Sequence, residues 1–437
     1  MTPKTALLWF RNDLRVEDHP VLAGLPSDLA YLLPVYIIDP RLWQPDLLTQ
    51  IPKAGPHRLQ FLLESLEDLK RNLQSLGSDL LIRVGHPEEV IPALAEVWDP
   101  EVIFFEREIA PEEREVEVRL MDQVKSRWFI KTYFTKSLIH PLDLPFSITA
   151  LPDVFTLFRK KVESRFPVRS LLPFPNTLPP PPSIFPFGDV PALSELIGSE
   201  PPVPHPQSAF PFKGGSSSGA LRLNDFIWER QLLSTYKTTR NGLLGEAYSS
   251  KLSAWLSLGC ISPRKVYDEV RRFEQMHGAT EETYWLIFEL LWRDYFRFVM
   301  MRYGAALFQK GGIQQKSLSQ KFDQALFEQW KRGETGDAFI DAFMRELWHT
   351  GFMSNRGRQN VASYLVHHLG VDWRWGAAWF EYALIDYDVC SNWGNWAYVA
   401  GVGNDPRPNR IFQPERQSGM YDPNGDFQRC WAAYPVS

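Results

Sequence analysis

The chain has 437 residues, 44% of them apolar and 23% charged, with a net charge of −5. This fits a globular protein of two to three domains and excludes one that attracts polyanions over its whole surface. No apolar run approaches the ~18 residues that span a bilayer, and Met1–Phe10 lacks a small-residue cleavage site, so neither a membrane partner nor a signal peptide is expected. Cys260, Cys390 and Cys430 are too dispersed for a disulfide framework or a zinc site, which points to a reduced, cytoplasmic chain without a metal centre.

The charge is uneven, −6 over residues 1–220 and +1 over 221–437, so any nucleic-acid surface is expected as a local patch in the C-terminal half. In residues 1–140, short apolar runs predict strands at Leu7–Phe10, Leu32–Ile38, Leu80–Val84, Val102–Phe105 and Trp128–Phe134. Between them, Leu59, Leu62, Leu66, Leu69, Leu73 and Leu76 step at three or four, and Gly77 ends that helix. The alternation predicts an α/β domain with a doubly wound, Rossmann-like parallel sheet. No G-x-G-x-x-G follows the first strand, so an ordinary dinucleotide site there is not supported. Residues 141–219 read as a proline-rich connector, with Pro179–Pro182 in one run and Phe174, Phe185 and Phe210 as apolar anchors. Residues 220–437 read as all-helical, most clearly over 281–303 and 355–369.

Four features of the helical half carry chemistry. Tyr236, with Ser249, Ser250, Leu252 and Ser253, sets hydroxyls at the opening of a helix, where free N–H groups and Lys251 can cradle a phosphate; plain N-capping would also account for the serines. Glu289, Trp292, Arg293 and Phe296 fall at i, i+3, i+4 and i+7, placing a carboxylate, an indole and a guanidinium on one helix face. That stripe suits a site wall, or else a buried salt bridge beside a core tryptophan. Ser354 is a candidate N-cap before Asn355, Arg356, Arg358 and Gln359, whose amides and guanidinium groups can read base or flavin edges or simply solvate a helix. Asp386 and Asp388 lie in an aromatic, apolar run with Asn392, Trp396 and Tyr398, and each acid needs a donor: a flavin N–H, a ribityl hydroxyl or an arginine.

Taken together with Leu8–Arg15, Trp330–Gly336 and Asp341–Leu347, these blocks resemble the photolyase/cryptochrome family, and Asn355–Asn360 and Asp386–Arg407 are most similar to its DASH branch. The resemblance implies an antenna-binding α/β domain and an all-α FAD-binding domain. It places Tyr236, Ser249, Ser250, Leu252, Ser253, Arg293, Arg358, Asp386, Asp388 and Asn392 around FAD. It also implies light-driven splitting of cyclobutane pyrimidine dimers by an electron from excited reduced FAD, with Glu289, Trp292 and Asn355 as catalytic residues. Arg356, Gln359 and Tyr398 complete the DNA contacts in this reading.

Gln359 and Tyr398 stand where duplex-repairing relatives carry Met and Trp, which implies a strong preference for dimers in single-stranded DNA; the chain is expected to be a monomer. Trp396 and Trp373 match the inner pair of the family's electron-relay tryptophans, while the outer one is missing near Ser319–Phe322. Trp255, Trp285, Trp375 and Trp379 are assigned to core. Glu108 is similar to the acid that holds a 5,10-methenyltetrahydrofolate antenna, although acids also favour helix starts. A blue-light photoreceptor with little repair activity is the alternative, favoured by the uncertain cellular roles of the DASH group and opposed by the expected lack of a long tail after Phe412. A flavin electron-transfer protein is the blander option.

Overall fold

The computed structural model describes residues 4–404 and 411–436. Arg407, the end of one family-like stretch, lies outside them, as do Met1–Pro3. Five strands, β1 (Thr5–Phe10), β2 (Tyr31–Ile38), β3 (Leu81–Val84), β4 (Val102–Glu106) and β5 (Phe129–Tyr133), form one parallel sheet in the order β3-β2-β1-β4-β5. The central strand β1 is buried on both faces. Ala6, Leu8 and Phe10 join the core beneath the Pro56–Ser75 helix, while Leu7 and Trp9 pack towards the Pro87–Trp98 and Pro111–Val124 helices. That two-sided burial is why its sequence is continuously apolar rather than alternating.

The strand order reverses between β1 and β4, and the loops leaving the carboxyl ends there face the helical half. They form the seat on which that half rests. Leu14 N–H donates to Leu258 O at 3.1 Å, and the Arg15 guanidinium to Gly259 O at 2.9 Å. Asp18 accepts from Ser262 Oγ and from Arg264 at 2.7 and 3.0 Å. From the other side, Asp294 accepts the backbone N–H groups of Leu138 and Ile139 at 2.9 and 2.8 Å. Burial pushes the Asp294 carboxyl up to about 6, against the pull of those two N–H bonds.

Residues 141–219 are more structured than a bare connector. The prolines at 179–182 run without helix or strand, but Phe155–Glu163 is a helix whose Phe155 and Phe158 are buried against the helical half. Phe185 and Phe210 are buried anchors, whereas Phe174 is 56% exposed and anchors nothing. A further helix, Ser216–Asn224, opens before residue 220.

The centre of the helical half is the Glu281–Tyr303 helix. Thr280 caps its start by accepting from Thr283 N–H, and Gly304 takes a positive φ at its end. The 355–369 helix divides into an α segment, Asn355–Ser363, and a wider π turn, Tyr364–His368. No helix among the described residues is long and apolar enough to cross a membrane.

Gly259 sits at the domain seat with φ +66°, and a Cβ there would lie 2.0 Å from Asn12 O. Gly259→Ala is expected to cost at least about 2 kcal/mol, from left-handed strain plus the clash with backbone, and to lower Tm in a calorimetric scan.

Candidate functional site

One cavity of about 520 Å³ gathers all four sequence features. Its walls are the turn around Tyr236 and Arg240, the Tyr248–Ser257 segment, the Glu281–Tyr303 and Asn355–Ser363 helices, and the Val389–Val399 helix. Glu289, Trp292, Asn355, Tyr236, Ser249, Ser250, Leu252, Ser253, Arg293, Arg358, Asp386, Asp388, Asn392, Trp396, Arg356, Gln359 and Tyr398 all line it. Trp373 does not; it is fully buried, donates to Lys310 O at 3.0 Å and meets Trp393 edge-on. Glu108 also lies outside this cavity, 9% exposed, with its carboxylate held by Lys136 and by Asn12 at 2.9 Å.

The two acids find arginines. Arg358 donates to Asp386 Oδ2 at 2.9 Å, and Arg297 grips both oxygens of Asp388 at 3.2 and 2.6 Å. Burial alone would raise the Asp388 carboxyl, but the Arg297 and Arg293 charges overcome it and hold the group well below the usual carboxylate range. Asp388 also caps the Val389–Val399 helix by accepting Ser391 N–H at 2.9 Å. Arg297 went unassigned in the sequence, although it falls one turn beyond Arg293 on the same helix; its apolar neighbours Phe296, Phe298 and Val299 masked it. Arg293 spends its guanidinium on backbone, donating to Lys136 O and to Leu256 O, the latter at 2.8 Å. Burial, followed by the neighbouring Arg297 charge, lowers it to about 10.

The stripe that begins at Glu289 and Trp292 is braced from behind. Arg240 and Trp285 both donate to Glu289 Oε1, at 2.7 and 3.1 Å. Burial raises the Glu289 carboxyl, while Arg240 and then the Trp285 N–H pull it back down. Phe155 lies flat on Trp292, with ring centroids 3.7 Å apart and planes 11° from parallel. Its surroundings of Pro, Lys and Arg hid Phe155 in the sequence. Arg356 donates to Gln359 Oε1 at 3.0 Å and to Asn241 Oδ1 at 3.1 Å. Ser354 does cap the Asn355–Ser363 helix, accepting from Gly357 N–H at 3.1 Å.

Of the four tryptophans assigned to core, two are buried in it and two pack against it half-buried. Trp255 and Trp379 are buried, at 0% and 5% exposure. Trp285 is half-buried beside Glu289 because its N–H needs an acceptor, and Trp375 is half-buried with its ring stacked on the exposed Phe322 at 3.5 Å. The serine cradle also differs from a long capped helix. The Ser253–Ser257 helix is only five residues, and no side chain caps it.

Among the buried polar atoms without a hydrogen-bond partner on residues lining the cavity are Lys251 Nζ, Tyr248 Oη, Asp386 Oδ1 and Arg240 Nε. Lys251 holds φ +63°, and its Nζ sits 3.2 Å from the Tyr248 ring centroid and 4.6 Å from that of Phe352. Burial pushes its ammonium well below the ordinary lysine range. A lysine amine, a hydroxyl and a carboxylate oxygen without hydrogen-bond partners around one cavity are the complement of a ligand with phosphates at one end and N–H or O–H donors further along. FAD has that chemistry, so the residues fit it.

The domain described as DNA photolyase matches residues 6–182, and the FAD binding domain of DNA photolyase matches residues 285–434. A Cryptochrome DASH of Gloeobacter violaceus is 48% identical over 99% of this chain and 86% of its own. The solved Synechocystis sp. PCC6803 cryptochrome superimposes with a TM-score of 0.94 at 47% identity, covering 99% of this chain and 89% of that one. A bacterial class III photolyase from Agrobacterium tumefaciens gives a TM-score of 0.85 at 27% identity, covering 99% and 87%. The fold and the cavity define a photolyase-type flavoprotein. The chain belongs to the photolyase/cryptochrome family, in its DASH cryptochrome branch.

Arg297→Leu should leave Asp388 buried without its charge partner and cost about 3–5 kcal/mol. Because the folded-state Asp388 carboxyl lies below its unfolded value, its stabilisation is present above about pH 4 and is lost as pH falls through the folded value. Urea titrations should therefore show the gap between wild type and variant at neutral pH and its closure in strong acid.

Proposed function

We propose that this chain is a light-driven lyase that splits cyclobutane pyrimidine dimers, chiefly in single-stranded DNA. The observation that carries the reading is that Glu289, Trp292 and Asn355, from two helices, line the same cavity as the serine and lysine cradle and the Arg358–Asp386 pair. FAD, when bound and reduced, supplies on illumination the electron that opens the cyclobutane ring. The protein's own groups bind, orient and shield.

Tyr236, Ser249, Ser250, Leu252, Ser253 and Lys251 would hold the phosphates and ribityl chain of FAD, with Arg293 and Arg358 beside them. Asp386 Oδ1 would accept a flavin donor, and Asp388 would hold the helix start beside it. Asn392 donates its amide to Ala377 O at 3.0 Å, which leaves its carbonyl oxygen for the ring edge. On the lesion side, Glu289 accepts a base N–H, Trp292 stacks on the dimer and Asn355 bridges the two halves of the site. Trp396, at the cavity wall, and Trp373, behind it, relay electrons inward. Should 5,10-methenyltetrahydrofolate be the antenna, Glu108 would hold it through Oε2, since Lys136 and Asn12 both donate to Oε1. The free thiols of Cys260, Cys390 and Cys430 suit a reducing, cytoplasmic setting.

The preference for single strands follows from the cost of extruding a dimer, a few kcal/mol in a duplex and less in a single strand. Gln359, engaged by Arg356, and Tyr398, edge-on to Trp292 at 6.1 Å, give a polar wall that offers little apolar contact to offset that cost.

The test is a light-dependent repair assay on an oligothymidine carrying one dimer, alone and annealed. The expected result is loss of the dimer from the single strand and little loss from the duplex. Equal repair of both contradicts the preference, and no repair by a photoreducible, flavin-loaded protein favours the photoreceptor alternative. Trp292→Ala should weaken binding of the dimer strand about five- to 150-fold, the range that one lost stacking contact implies.

A further inference from the structure

Glu289 does not face the cavity unaided. Trp285 lies one turn before it on the Glu281–Tyr303 helix and does not itself line the cavity. The indole is fixed on several sides. Phe288 stacks on it at 4.5 Å and 29°, and the Lys237 ammonium and Arg240 guanidinium lie 4.9 and 5.1 Å from its ring centroid. Lys237 is held in turn by Glu281. From that position the indole N–H reaches Glu289 Oε1 at 3.1 Å, the same oxygen that Arg240 reaches at 2.7 Å. Two donors converge on one oxygen, which leaves Oε2 to accept from the cavity.

We propose that Trp285 is a positioning residue whose indole N–H, together with Arg240, pins Glu289 Oε1 and thereby presents Oε2 to a base N–H of the substrate. This rests on Glu289 being the base-edge acceptor. An indole N–H can only donate, so its bond favours the carboxylate over the carboxylic acid. The other titratable groups around Glu289 are Tyr236, Lys237 and Arg240 on the turn packed against it, Arg293 on its own helix and Arg356 on the Asn355–Ser363 helix. Of these, Arg240 shares its oxygen. Removing the indole N–H withdraws one of two stabilising donors and leaves burial to raise the Glu289 carboxyl further.

Trp285→Phe keeps an aromatic ring and removes the N–H. In the full, FAD-loaded chain, a labelled single-stranded oligothymidine with one dimer is titrated from acid to neutral pH, alongside the same strand undamaged. The expected result is a Kd for the dimer strand about threefold to tenfold higher at neutral pH, the loss of one hydrogen bond. The acid limb of binding should move up by about half to one pH unit, with affinity for the undamaged strand unchanged. A purely structural role would weaken both strands alike and leave the acid limb in place, which overturns the inference.

Glu289→Gln separates the inference from the reading beneath it. If E289Q binds the dimer strand as wild type does, the reading of Glu289 fails. If E289Q is weakened and loses the acid limb while W285F matches wild type, the positioning role alone fails. A measurement on the unaltered protein guards against misfolding of W285F. The indole N–H resonance that E289Q displaces should follow an acid titration in wild type, and a resonance indifferent to pH overturns the proposal.

Discussion

A buried guanidinium and a buried carboxylate, Arg297 and Asp388, join two helices that pack against each other and both line the cavity. Arg297 is 2% exposed, and both its terminal nitrogens face Asp388. Neither group tolerates burial alone, so the pair ties the register of the Glu281–Tyr303 helix to the start of the Val389–Val399 helix. Asp388 also caps that second helix, so one side chain sets where the helix starts and what it faces. Asn392, Trp396 and Tyr398 follow at fixed offsets from the cap, and all three enter the cavity.

The same central helix is also held by the α/β domain. Asp294 accepts two backbone N–H groups from the segment after β5, and Arg293 donates to Lys136 O on that segment. Arg293, Asp294 and Arg297 thus fasten one helix to three places within little more than a turn. The stripe Glu289, Trp292, Arg293 and Phe296 is aimed by those fastenings. Its outer members have braces of their own, Trp285 and Arg240 behind Glu289 and Phe155 behind Trp292. A rigid wall of this kind suits chemistry in which the protein contributes position and polarity rather than a nucleophile or a proton.

Much of this was legible in the residues. Apolar runs located the five strands because a parallel sheet buried on both faces leaves little choice of side chain. The Glu281–Tyr303 helix was equally clear. The site residues were recognisable because polar groups on an aromatic stripe are rarely core. What stayed hidden were partnerships between distant segments. Arg297 read as one more residue of an apolar helix until Asp388 stood opposite it. Phe155 was lost in a proline-rich stretch, on a helix only nine residues long. Trp285 is different: it passed as core although it lies one turn before Glu289 on the same helix, a spacing that lets its N–H meet that carboxylate. Phe174 was taken for an anchor on hydrophobicity alone, which does not decide burial.

The central claim is that one cavity holds a flavin directly beside a place for two fused pyrimidines. The most direct measurement is the flavin absorption spectrum of the FAD-loaded protein, recorded in the dark as single-stranded oligothymidine is added with and without a single dimer. A shared cavity predicts that the dimer strand perturbs the flavin bands saturably and that the undamaged strand does not. A chain that takes up no FAD, or a spectrum that responds identically to both strands, would contradict it.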